Sequence, residues 1–164
     1  MNKAFEVEKS IAQAKTNKKA NQAWFKKQAK RPHKQVDADF HEAHEAVFNQ
    51  YDCLTCANCC KTTSPIFRPK DIERLAQHLG MKAVEFQIEH LVIDDDGDFV
   101  LHTAPCPFLG EDNKCSVYEV RPKACREYPH TDRKNMHQIL NLTMKNTLVC
   151  PAVNLIVKKI QEQA

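Results

Sequence analysis

The sequence predicts an α+β fold, predominantly helical with one or two small β-hairpins, organised around a cysteine-rich site. Three observations point there. Long stretches carry apolar residues at helical spacing with few breakers. Short β-prone runs flank turn-forming residues. Eight cysteines fall in 164 residues, four of them in Cys53-Leu-Thr-Cys56-Ala-Asn-Cys59-Cys60. A chain of this length forms about one domain and buries roughly 70% of its unfolded surface, so the core does not depend on cysteine staples.

Residues 2–30 are rich in Ala, Lys and Gln and read as one helix, ended by Arg31-Pro32-His33. Residues 36–51 read as a second, with Val36, Phe40, Ala43, Val47 and Phe48 on one face. A cysteine-dense loop is expected over 52–66. Pro69 suits the first turn of a third helix running to His78, with Gly80 just past its end. Residues 82–91 read as a fourth. Leu91–Ile93 and Phe99–Leu101 flank Asp94-Asp-Asp-Gly-Asp98, which predicts a hairpin. Phe108-Leu109 and Ser116–Tyr118 predict a second around Gly110. A short helix is expected near Pro122, then helices over 132–148 and 151–162, the last opened by Pro151.

Net charge is +3, but ten Lys/Arg and two acidic residues give residues 1–34 a charge of +8, leaving −5 for the rest. A basic arm could attract nucleic acid or an acidic partner. Trp24-Phe25 is its sole aromatic pair, too little for a base-stacking platform, so a solvated helix face is the preferred reading. The three glycines all fall at turns or caps. Neither a dinucleotide fingerprint nor a P-loop is present. No apolar leader opens the chain and no long apolar run follows, so the expected location is the cytoplasm, with no membrane span. In that reducing compartment clustered cysteines serve as ligands rather than disulfides.

Two C-x-x-C steps closed by an adjacent pair gather thiolates near one region, which is what a soft metal or an iron–sulfur cluster requires. Cys53, Cys56 and Cys59 repeat the ferredoxin C-x2-C-x2-C spacing, and Cys106-Pro107 and Cys150-Pro151 supply the proline-followed cysteine. All eight, Cys53, Cys56, Cys59, Cys60, Cys106, Cys115, Cys125 and Cys150, are candidate ligands. In an extended segment Cys59 and Cys60 would face opposite ways, implying two centres or one polynuclear centre. One division gives Cys53, Cys56, Cys59 and a remote cysteine to one site and Cys60 with the remaining remote cysteines to the other. A single site with four spare thiols is the competing count. Phe67, Phe108, Tyr118 and Tyr128 could wall the region off. Lys61, Arg68, Lys114, Arg121, Lys123 and Arg126 could offset thiolate charge, Arg121 and Arg126 above all. His41 and His44 with Glu42 and Glu45 could form a carboxylate–histidine site, though a solvated face is preferred. His102 and His130 lie near the cysteine segments and could each replace a thiolate.

Cys53-x-x-Cys56-x-x-Cys59-Cys60, Cys106-Pro-Phe-Leu109, Cys115-Ser-Val-Tyr118 and Arg121-Pro-x-x-Cys125-Arg126-x-Tyr-Pro129 together resemble the YkgJ-like cysteine-cluster (CxxCxxCC) family of zinc- or iron-chelating proteins. The resemblance covers about residues 50–151. Residues 1–50 are then expected as a basic N-terminal helical extension and 51–164 as the cysteine-cluster metal-binding domain. The resemblance implies metal binding. With the cysteine constellation and the expected cytoplasmic location, the first reading is a cytosolic protein holding zinc or iron, including iron–sulfur centres, through the eight cysteines for structural, metal-handling or redox use. The expected partners are the metal and a protein. A related cluster in flagellin lysine-N-methylase suggests an alternative, a protein-modifying enzyme. A third reading is a nucleic-acid module docking through its basic helix.

Overall fold

The computed structural model describes residues 3–163. Its helices are α1 (Lys3–Thr16), α2 (Lys18–Gln28), α3 (His33–Phe48), α4 (Cys53–Cys56) and α5 (Asn58–Thr62). Strand β1 (Ile66–Phe67) precedes α6 (Pro69–Leu79) and α7 (Ala83–His90), and β2 (Leu91–Ile93) and β3 (Phe99–Leu101) follow. Then come a 3₁₀ turn (Tyr118–Val120), α8 (Lys123–Glu127), a second 3₁₀ turn (Met136–Ile139), α9 (Leu140–Asn146) and α10 (Pro151–Gln163). The chain is 62% helical with one small antiparallel sheet, the α+β class expected. It divides into two compact units, one of residues 1–56 with 129–164, the other of residues 57–128.

The first unit is all helical. α3 packs on α10, α2 on α9, and α1 on both α2 and α10. The packing follows the apolar stripes: Val36, Phe40 and Ala43 on α3 meet a core that includes Val153, Ile156, Val157 and Ile160 of α10, all nearly or fully buried. Four such aliphatic side chains on α10 contribute about 1.5–3 kcal/mol each by leaving water. The Asp37 carboxylate accepts the backbone N–H groups of Asn135 (2.9 Å) and Met136 (2.8 Å). That pins the second 3₁₀ turn to α3 and seats the fully buried Met136.

The single helix expected over 2–30 is two helices, broken at Asn17 (φ −88°, ψ 9°); Asn2 lies outside the described residues. The cause is local. Thr16 bonds its hydroxyl back to the Ala12 carbonyl (3.1 Å), a habit that bends helices, and Asn competes poorly for helical positions. Helical bonds still run through the break, from Asn17 N to Gln13 O and from Asn21 N to Asn17 O. The helix expected over 132–148 starts late, because Asn135 adopts a left-handed conformation (φ 62°).

In the second unit the strands order β1-β3-β2, all antiparallel. β2 and β3 form the expected hairpin, with Leu91 opposite Leu101 and Ile93 opposite Phe99. Asp94 makes the turn: its Oδ1 accepts the N–H groups of Asp96 and Asp98 (3.0 and 2.9 Å), and Gly97 supplies φ 83°. β1 was not anticipated. It is two residues long and is a strand only because Ile66 and Phe67 pair with Val100 and Phe99. The second expected hairpin shrinks to one bridge, Leu109 with Cys115, and residues 118–120 turn rather than extend. α6 obeys its signals, with Pro69 in the first turn and Gly80 at φ 72° past the end. The core is Phe67, Ile72, Leu75, Ala76, Phe86, Leu91, Leu101 and Val117, with Cys106, Phe108 and Cys115 packed against it.

Candidate metal centres

Residues 52–66, expected as a loop, coil into the single helical turns α4 and α5. Asp52 starts α4: its carboxylate accepts the Leu54 N–H (2.9 Å) and its carbonyl the Thr55 N–H (3.1 Å). Ala57 then adopts a left-handed conformation (φ 51°), which costs a residue with a Cβ about 1–2 kcal/mol. Cys59 and Cys60 therefore lie on a helical turn, not on the extended chain that would oppose them. Their thiols meet, Cys59 bonding to Cys60.

In the second unit, four remote positions come together through backbone wiring. The Cys106 N–H donates to the Cys60 carbonyl (2.8 Å). The Leu109–Cys115 bridge, with Ser116 N–H to Phe108 O (2.8 Å), folds Cys115 back beside the Cys106 turn. Arg74 on α6 then holds the segment leading to Cys125. Its Nε donates to Val120 O (3.1 Å), and its Nη2 to Arg121 O (2.9 Å) and to Asp71 Oδ1 (2.7 Å). Asp71 completes the clamp by accepting the Lys123 N–H (3.1 Å), so both ends of the turn before α8 are fastened to α6.

The thiols sense one another. Burial, then charge on Cys60, Cys106 and Cys115, pushes Cys125 up to about 12, with Arg121 opposing. Burial also raises Cys106 and Cys115, each of which feels the charge of Cys60. Cys60 alone is brought down, to about 7, by the hydrogen bond from Cys59, with its own backbone N–H and Lys61 helping against burial. Cys60, Cys106, Cys115 and Cys125 are thus one electrostatic set. Lys114 and Lys123 are engaged elsewhere, with Asp112 (3.9 Å) and Glu127 (3.4 Å). The Arg121 guanidinium lies 3.8 Å over the Tyr118 ring. Of the expected aromatic wall, Phe67 and Phe108 flank Phe86 at 6.1 Å each, and Phe86 was missed.

In the first unit, Cys53 and Cys56 on α4 act on Cys150, whose thiol burial pushes up to about 12. Tyr51 joins them. Burial, then the side chain of Cys56 and the charges of Cys56, Cys150 and Cys53, push its phenol above the ordinary value. Cys53 is exposed, Cys56 partly buried and Cys150 buried.

The two Cys-Pro dipeptides share a device. After Cys106-Pro107, the Leu109 N–H donates back to the Cys106 carbonyl (3.1 Å), and the Phe108 and Leu109 N–H groups oppose the burial that raises the Cys106 thiol. After Cys150-Pro151, the Val153 N–H donates back to the Cys150 carbonyl (3.1 Å), and those of Ala152 and Val153 do the same for the Cys150 thiol at the N-terminus of α10. Proline sets φ and carries no N–H of its own, and the next two N–H groups stabilise a thiolate. This donor chemistry fits a thiophilic metal. Among the described residues, no group of three or more His, Cys, Asp and Glu is drawn together closely enough to hold an ion.

The histidine candidates are occupied otherwise. His41 Nε2 donates to the Arg133 carbonyl (2.8 Å), and a bond joins His44 Nδ1 to Thr131 Oγ1 (2.8 Å). Glu42 accepts from Gln163 (3.3 Å) at the surface, and Glu42 and Glu45 are exposed. His102 Nε2 donates to the Glu89 carbonyl. His130 sits at φ 64° in the turn before Thr131.

Turns dense in cysteine, with backbone N–H groups beside the sulfurs, are the donor chemistry of cysteine-rich metal-chelating proteins. A family model, CxxCxxCC, described as a "putative zinc- or iron-chelating domain", matches residues 52–151. The chain belongs to that family. No curated protein and no solved structure matched it. Among the described residues, no helix is long and apolar enough to cross a membrane.

Proposed function

We propose that this protein binds zinc or iron through two thiol sets, one in each unit. Cys60, Cys106, Cys115 and Cys125 form the first, with Cys59 bonding to Cys60. Cys53, Cys56 and Cys150 form the second. The observation that carries the reading is the family match over residues 52–151, supported by the backbone links that join the Cys60, Cys106 and Cys115 segments and by the two Cys-Pro turns. A cation reverses the logic of burial. Thiols that resist ionisation when crowded and buried lose their protons readily to a bound divalent ion.

The four-thiol set reads as a structural centre, because its members are wired to the core of residues 57–128. The three-thiol set, with Cys53 exposed, reads as the centre open to exchange, for metal handling or redox use in the cytoplasm. Anaerobic purification followed by elemental analysis and visible spectroscopy tests the proposal. Stoichiometric zinc, or iron with sulfide-type absorption, is expected; a metal-free protein would refute it.

A further inference from the structure

Residues 9–36 hold nine Lys/Arg and no Asp or Glu. Packing fixes which way this charge points. α2 packs on α9, and α1 packs on α2 and α10, with Ala14, Phe25 and Gln28 buried. Helical bonds run through Asn17 and on to Lys30, whose N–H donates to the Lys27 carbonyl (3.1 Å). Lys15, Lys19, Lys26 and Lys30 therefore fall at helical spacing on the face that the buried residues leave to solvent. They span about 22 Å at 1.5 Å per residue. All four are exposed, as is the neighbouring Lys27. Among the described residues, Arg31 is the one of the nine with an ion pair, to Asp39 (2.7 Å). Like charges four residues apart, such as Lys15 with Lys19 and Lys26 with Lys30, destabilise a helix. A bound polyanion would offset that repulsion.

We propose that this face binds the phosphate backbone of duplex nucleic acid without reading its sequence. Three features select that occupant. The stripe is lysine, with the small, exposed Ala20 and Ala23 between. Lysine meets phosphate as a point charge, whereas bidentate recognition of bases or carboxylates draws on arginine. Trp24 and Phe25 are taken up in packing, their centroids 4.9 Å apart and Trp24 6.4 Å from Phe40. They are therefore not offered as the aromatic anchors that hold protein partners, nor as rings on which single-stranded bases stack. The buried apolar side also leaves no greasy face to insert into a membrane.

The test is fluorescence anisotropy of a short labelled DNA duplex titrated with the full-length protein as purified. The expected slope of log affinity against log salt is about −4, one phosphate for each lysine of the stripe. Affinity then falls about 10²-fold between about 50 and 200 mM salt, and scrambling the base sequence changes neither value. Lys15→Gln, Lys19→Gln, Lys26→Gln and Lys30→Gln should each make the slope shallower by about 1, and the four together should flatten it. Lys70→Gln with Lys134→Gln, exposed lysines outside the stripe, should leave it unchanged. None of these residues belongs to a thiol set, so metal content should be equal in every variant. No binding at about 50 mM salt, or a slope that the four stripe substitutions leave unchanged, would overturn the proposal. Tighter binding of a single strand would also overturn it. Poly-glutamate or phosphatidylserine vesicles bound as tightly as the duplex would overturn it too, assigning the face to an acidic protein or a membrane.

Discussion

In residues 57–128, two of four thiols, Cys106 and Cys115, pack against a hydrophobic core that draws on a three-stranded sheet; in the helical unit, Cys53 and Cys56 occupy the two ends of one short turn and Cys150 precedes one long helix. The first group is reached through the Cys60–Cys106 backbone bond, the Leu109–Cys115 bridge and the Arg74 clamp. Cys106 and Cys115 themselves pack on Phe86 and its neighbours. In the helical unit Phe40, Val153 and Ile156 fill the core of α3 and α10, and Cys150 is the one thiol buried with them. The lesson is that one sequence motif can serve two purposes. On the proposed reading, metal binding at cysteines wired into the core is coupled to folding, and metal at the exposed end of α4 exchanges more freely.

The contrast breaks most visibly under cysteine replacement. Cys106→Ser should cost residues 57–128 a large part of the roughly 10–16 kcal/mol that a structural metal contributes, seen as loss of their amide protection in hydrogen exchange. Cys150→Ser should leave the helical unit protected. Equal loss of protection in both would erase the distinction.

Next in size are the cores. Phe86→Ala should destabilise by about 3–5 kcal/mol in denaturant titrations of metal-loaded protein, and should weaken the four-thiol set. Phe40→Ala should cost a similar amount and leave that set's affinity unchanged.

The clamp is a smaller and sharper probe. Asp71→Asn leaves Arg74 without its carboxylate and should cost about 3 kcal/mol, with metal affinity of the four-thiol set falling alongside. Asp71 also carries a pH signature. Burial would raise its carboxyl, but the bonds from Arg74 and from the N–H groups of Arg68 and Lys123 hold it below the ordinary 3.8. A depressed folded value means that its contribution is complete above 3.8 and fades as pH falls through the lower, folded value. The acid limb of stability should therefore be shallower in Asp71→Asn than in the wild type. Smallest of all, Asp37→Asn in the helical unit should cost about 1 kcal/mol through two weakened N–H bonds, with no change at any thiol.

Local structure was legible where chemistry is local. Pro69 and Gly80 bound α6, Asp94 and Gly97 make the hairpin turn, and Pro151 opens α10, each for reasons contained within a few residues. Ile66-Phe67 could not be read as a strand, because its only claim to be one is the partner β3. The backbone links between the cysteine segments, Cys106 N–H to the Cys60 carbonyl and the Leu109–Cys115 bridge, span tens of residues or depend on a turn and could not be read from spacing. Arg74, Asp71 and Phe86 were invisible for the same reason: Arg74 and Asp71 look like an ordinary helix pair three residues apart until Val120, Arg121 and Lys123 arrive. Cys59 and Cys60 were misjudged because they were pictured on extended chain, whereas α5 is helical and lets their sulfurs meet.

The central claim is that the two units hold separate metal centres. Native mass spectrometry of anaerobically purified wild type, Cys125→Ser and Cys150→Ser tests it most directly. About two metal equivalents in the wild type, with each variant losing one and keeping the other, is the expected result. Loss of all metal from both single variants, or retention of all metal by either, would contradict it.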